Sequence, residues 1–137
     1  MDEREEMEKI ENREKNILKN SKESTKNSHD PVPLTRAIFL ALISKNPNIT
    51  GYELMSLVPK IMNDRIKFKS GTLYSELRRL ESMGYVSSEQ STTGRKQRKY
   101  KITMAGKETL KRISKQIKDR IQYILYPLIS LIDSLDF

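Results

Sequence analysis

The chain has no cysteine, no tryptophan and only one histidine among its 137 residues. Without cysteine there is no disulfide and no thiolate metal site, which fits a reducing compartment. A single histidine leaves catalysis without its usual proton shuttle and metals without their commonest ligand. That residue, His29, falls in a Ser/Asn/Lys-rich stretch and reads as a solvated side chain. No HExxH, no glycine-rich phosphate loop and no serine–histidine arrangement is present, so no enzymatic activity, cofactor or metal is expected. Long apolar runs are missing too. The longest stretch free of charge, Ile121 to Ile132, is twelve residues and contains Pro127, too short to cross a bilayer. The opening MDEREEMEKIENREK holds no apolar signal core, so the expected location is the cytoplasm, about the nucleoid.

What the chain does have is positive charge. It carries 26 Lys+Arg against 18 Asp+Glu, a net of +8. A protein this basic is expected to meet a polyanion, and nucleic acid is the commonest. The charge is unevenly placed. Residues 1–31 hold seven bases and nine acids, whereas Lys60 to Lys101 holds eleven bases and four acids. Ile121 to Phe137 has two acids and no base. A mixed arm, a cationic middle and an oily tail follow one another.

The arm and linker span residues 1–33, partly helical, with Met7, Ile10, Ile17 and Leu18 as sparse apolar members. A globular part is expected over 34–103. Leu34 to Ile43 reads as a short buried helix, and Thr50 can cap a second one starting at Gly51. Leu54, Leu57, Val58 and Ile61 share a helical face, and Pro59 should kink or end that helix early. Lys60 to Lys69 is a basic connector. Ser70 reads as the N-cap of a third helix whose apolar face is Leu73, Leu77 and Leu80. Its opposite face presents Ser75, Arg78, Arg79 and Ser82, with Thr72 at the edge, and Gly84 supplies a left-handed stop. Tyr85 to Glu89 and Lys99 to Thr103 then form a β-hairpin around QSTTGRKQR. Residues 104–137 form a last helical region. Leu110, Ile117, Ile124 and Leu131 recur every seven residues beside Ile121, Leu128 and Leu135, a seam that wants a partner helix. Pro127 should bend it near Ile124.

Three helices followed by a hairpin with a basic tip are the order of a winged helix-turn-helix. The expected fold is mainly α with a small β-hairpin (α+β), plus a C-terminal dimerisation helix. A helix about 10–12 Å across fits a major groove about 12 Å wide, provided its outer face carries donors. The hairpin tip can approach phosphates or place an arginine in a minor groove. The expected DNA-binding residues are Lys67, Lys69, Ser70, Thr72, Tyr74, Ser75, Arg78 and Arg79, with Thr93, Gly94, Arg95, Lys96 and Arg98 in the wing. Tyr85 and Tyr100 read as packing residues.

GYEL (Gly51 to Leu54), GTLYSELRRLESMGY (Gly71 to Tyr85) and GRKQRKYKITMAGKE (Gly94 to Glu108) resemble the PadR family of winged-helix transcription regulators. The match covers about 80 residues, Leu34 to Ile113. The resemblance implies a homodimer built by the C-terminal helices, binding palindromic or pseudo-palindromic duplexes. It implies that the GTLY helix enters the major groove, with Thr72, Tyr74 and Ser75 near the backbone and Arg95 reaching the minor groove. The chain departs from the family pattern at Thr50, where histidine is common, and at Ser75, where proline is usual. It also carries an extra charged arm. Any small-molecule effector is left unknown, with Tyr123 and Tyr126 as candidate liners. The expected function is a dimeric, sequence-specific regulator, a repressor. Two other readings remain open at this point: a structural or segregation-type protein that spreads along DNA, and a protein-interaction module.

Overall fold

The computed structural model describes residues 2–12, 32–92, 94 and 97–137, and the chain divides into two compact units. One is Pro33–Lys115; the other joins the chain ends, Met1–Val32 with Gln116–Phe137. Residues 3–12 are helical with every side chain exposed. The rest of the arm, His29 and Leu18 included, lies outside the described residues.

In Pro33–Lys115 the order is α1 (Leu34–Lys45), β1 (Ile49–Thr50), α2 (Gly51–Ile61), α3 (Ser70–Ser82), β2 (Val86–Gln90) and β3 (Arg98–Ile102). The helix α4 (Met104–Arg120) follows. Phe39, Leu40 and Ile43 of α1, Leu54 and Val58 of α2, and Leu73, Leu77 and Leu80 of α3 make one fully buried core. Phe68, just before α3, meets Phe39 edge to face at 5.1 Å between ring centres. The strands form an antiparallel sheet in the order β1-β3-β2. Val86 opposes Ile102, Ser88 opposes Tyr100 and Gln90 opposes Arg98. The third strand, β1, sets Ile49 against Tyr100 and Thr50 against Lys99. Two residues are too few to show strand alternation, so the sequence pattern points only to the hairpin.

Thr50 caps α2 as expected. Its hydroxyl accepts the Glu53 backbone N–H at 3.1 Å and donates to the Glu53 carboxylate, a reciprocal box. Other local expectations are corrected. Pro59 does not cut α2 short. It sits in the last turn, where its missing N–H removes only one ladder bond, and the helix ends two residues later. Asn63 and Asp64 then take positive φ. Ile61 lies past the proline and is exposed rather than on the core face. Ser70 is the first residue of α3, not its cap; Lys69 holds that place, with no side-chain cap bond. Gly84 ends α3 at φ 78°, a conformation that costs most residues a Cβ clash. Thr103 starts the next helix: its hydroxyl accepts the Gly106 N–H at 3.1 Å and donates to the Gly84 carbonyl at 2.6 Å. Gly106 presses so close to Tyr85 that an added Cβ would lie 2.1 Å from its carbonyl oxygen.

In the other unit, Ile121–Leu125 forms a π turn leading into α5 (Tyr126–Asp133). Pro127 has no N–H to return to the Tyr123 carbonyl, and the Tyr126 N–H reaches back five residues to Ile121 instead. The break falls where the proline led the sequence to expect a bend. It also ends the straight seam. One extra residue in a turn rotates everything downstream by about 100°, so Leu110 and Ile117 do not align with Ile124 and Leu131. Leu110 packs against the core of its own unit, and Ile113, outside the expected seam, is buried.

Candidate nucleic-acid interface

At about 100° per residue, Leu73, Leu77 and Leu80 point one face of α3 into the core. Ser75, Arg78, Arg79 and Ser82 occupy the far side, and all are exposed. Thr72 and Ser70 are exposed as well, so the start of α3 is open to solvent. The segment before α3 alternates: Ile66 and Phe68 tuck against the core while Lys67 and Lys69 face out. Two cations are thereby held just ahead of the helix that carries two more. On the hairpin, Gly94 and Arg98 are exposed. The expected wing residues Thr93, Arg95 and Lys96 lie outside the described residues.

Beside the outer face of α3 runs a cleft of about 540 Å³. Its walls are the start of α2 (Thr50, Gly51, Tyr52), one flank of α3 (Tyr74, Arg78, Glu81) and the wing strand with its approach (Gln97, Arg98, Tyr100). Gly51 explains how the two motif segments meet. The Tyr74 ring lies on it so closely that an added Cβ would be 2.6 Å from Cε1. Glycine in GYEL therefore makes room for tyrosine in GTLY. The far wall is braced: Ser88 Oγ donates to the Glu81 carboxylate at 2.5 Å and accepts from Arg98 Nη1 at 3.0 Å. Tyr100 is buried as expected, yet it also lines the cleft. Burial, then the Glu81 carboxylate, push its phenol pKa up, against an opposing pull from Arg98. At neutral pH it remains a protonated donor.

The cleft thus offers two guanidiniums, three phenols, an amide and the amide end of a helix, chemistry suited to a phosphate or a base edge. Sequence reasoning picked out Tyr74, Arg78 and Arg98 but not Tyr52, Gln97, Glu81 or Ser88. Tyr52 had one signal, its place in GYEL beside a helix start. Gln97 and Ser88 had none, because only the folded hairpin brings them here. Among the described residues, no three His, Cys, Asp or Glu side chains gather as a metal site, and no helix is long and apolar enough to cross a membrane. Tyr123 and Tyr126, the candidate effector liners, are both exposed in the other unit.

The sequence model of the transcriptional regulator PadR-like family matches residues 39–112, more than half of the chain. The chain belongs to the PadR-like family of transcriptional regulators. Solved structures agree on the fold. Bacillus subtilis PadR, crystallised in complex with operator DNA, is 25% identical with a TM-score of 0.54, over 61% of this chain and 46% of that one. This PadR-like chain therefore spans under half the length of that relative. A transcriptional regulator from Clostridium thermocellum is 25% identical with a TM-score of 0.61, over 66% of this chain and 86% of its own. A PadR family regulator from Eggerthella lenta shares the fold at 21% identity and a TM-score of 0.54, over 95% and 99% of the two chains. No curated protein matches. The winged-helix fold and the resemblance carried by GYEL, GTLY and the wing stand, and the family is one of DNA-binding regulators, not enzymes.

Proposed function

We propose that this PadR-like chain is a homodimeric, sequence-specific binder of double-stranded DNA that represses by occluding a promoter. The observation that carries the reading is the outer side of α3. It is an exposed polar strip, flanked by Lys67 and Lys69 at one end and by the Arg78–Arg98 cleft along one edge. Laid in a major groove, Ser75, Arg78, Arg79 and Ser82 face base edges, while Thr72, Ser70 and the lysines face the backbone. The wing, with Arg98 and the outlying Thr93, Arg95 and Lys96, lies against phosphates or in the minor groove. Tyr52, Tyr74, Gln97 and Tyr100 add donors where a phosphate would pass.

The dimer reading draws on the tail. Ile121, Leu128, Leu131 and Leu135 are exposed, with Ile117 and Ile124 beside them. An apolar strip of this length asks for cover, and a second copy supplies the same strip. Leu110 is spent on its own core, so the seam is assigned from Ile117 onward.

The test is footprinting with a salt titration. A dimeric regulator protects one or two short sites whose half-sites repeat at about 34 Å. With about 6–10 phosphate contacts, log K falls against log salt with a slope of roughly −5 to −9. Arg95→Ala and Arg79→Ala should each weaken binding. Protection that lengthens with protein concentration would instead mark a spreading DNA protein, and no duplex binding in dilute buffer would sink the reading altogether.

A further inference from the structure

The flank of α3 facing away from the cleft carries a separate set of charges. Glu76 lies there with its side chain only 12% exposed. Its Oε1 faces Nε of Arg36, on α1, at 3.8 Å, and its Oε2 faces Nη1 of Arg79 at 3.5 Å. Arg36 is itself fixed. Its guanidinium lies 5.9 Å from the centre of the Tyr85 ring, and its Nε is buried with no hydrogen-bond partner. Arg79 is different: 60% of its side chain is exposed, on the outer side of the helix. One largely buried carboxylate is thus shared between an anchored guanidinium and one whose far end is free.

We propose that Glu76 is a positioning residue for sequence discrimination: it aims Arg79 at base edges and denies it to phosphates. The inference rests on the DNA-binding reading above. A carboxylate already engages one edge of the Arg79 guanidinium. A phosphate docking in fork geometry would have to sit within a few ångströms of that anion, and like charges repel. Guanine O6 and N7 are neutral acceptors and can take the remaining N–H groups without that repulsion. Holding Arg79 to one side also removes rotamer freedom before DNA arrives, so less is lost on binding. Arg36 keeps the carboxylate in place, and the Tyr85 ring keeps Arg36.

The experiment uses the full chain and two probes: a duplex selected by the wild-type protein from a randomised pool, and an unrelated duplex of equal length. Affinities for both are measured across salt. Glu76→Gln should bind the unrelated duplex several-fold more tightly and the selected one more weakly, so discrimination drops about tenfold. Its salt slope on the unrelated duplex should steepen by about one, because Arg79 has gained a phosphate. Arg79→Lys leaves the Arg36–Glu76 pair intact and keeps the charge but loses the fork. It should lose about tenfold on the selected duplex and little on the other. If Glu76→Gln changes both affinities by the same factor at an unchanged slope, its role is merely structural and the proposal falls. Should that variant fail to fold, full discrimination by Arg79→Lys overturns the proposal alone. A wild-type protein that binds neither duplex overturns the DNA-binding reading first, a separate and recognisable outcome.

Discussion

The winged-helix unit and the tail contain the same residue types and treat them in opposite ways. Leu54, Leu73, Leu77 and Leu80 in Pro33–Lys115 are wholly buried. Leu128, Leu131 and Leu135 in the tail are between 47% and 60% exposed. Periodicity does not distinguish them, since both sets recur at helical spacing. What differs is the supply of neighbours. Three helices and a small sheet close over the first set within about eighty residues, whereas the second lies on one helix interrupted by a π turn. An apolar side chain becomes core only where other elements reach it. The first region is therefore a completed fold, and the second is an unmet demand for apolar surface.

Two substitutions bear on that contrast, the larger first. Leu77→Ala removes a fully buried side chain from the middle of α3. It should cost about 3 kcal/mol in denaturant unfolding, since the cavity adds to the lost transfer energy. Leu131→Asp places a charge on the exposed tail. It should leave the helical content of the winged-helix unit in place while halving the mass seen in sedimentation. A duplex carrying two half-sites should then be bound far more weakly than by the wild type. If the mass is unchanged, the tail is not the pairing surface and the contrast drawn above loses its second half.

Much of the first region was legible because its rules are local. Leu73, Leu77 and Leu80 mark a face, Thr50 and Glu53 mark a start, and Gly84 marks a stop. Each depends on spacing within one turn or one cap. Less was legible where distant segments meet. β1 is two residues long and exists because Tyr100 and Lys99 come alongside it. Gln97 and Ser88 enter the cleft only once the hairpin folds back on α3. Glu76 looked like an acid near a helix start, and nothing in its neighbourhood reveals Arg36, forty residues earlier. In the tail the proline was visible and its consequence was not: the heptad rows read as continuous, whereas the π turn breaks their phase.

A smaller effect sharpens the account of the first region. Thr50 is buried and holds the start of α2 through the reciprocal bonds with Glu53. Thr50→Ala should cost about 1 kcal/mol. Thr50→Ser keeps the oxygen and should recover most of it. Because α2 begins at the cleft, Thr50→Ala should also loosen the contact of Gly51 with Tyr74. Duplex binding should weaken beyond what the stability change alone explains, measured at a temperature where the variant is fully folded. Equal binding by the variant and wild type would separate the cap from the interface.

The smallest expected effect appears only at alkaline pH. The folded pKa of Tyr100 is raised by burial first and by the Glu81 carboxylate second, with Arg98 and Arg78 pulling the other way. The folded protein therefore holds this proton more tightly than the unfolded chain, whose phenol titrates near its ordinary value of about 10. A raised folded pKa means that the stabilisation is complete below that value and is lost as pH rises through the folded one. Unfolding free energy should thus be insensitive to this group at neutral pH and decline above about pH 10. Other groups titrate in the same range, so the informative quantity is the difference from Tyr100→Phe, which cannot ionise. The wild-type curve should fall away from the variant's on the alkaline side. Glu81→Gln removes the second cause and should shrink the gap. Parallel curves would mean that the phenol ionises as freely in the fold as outside it. The wall of the cleft would then be wetter than its burial implies.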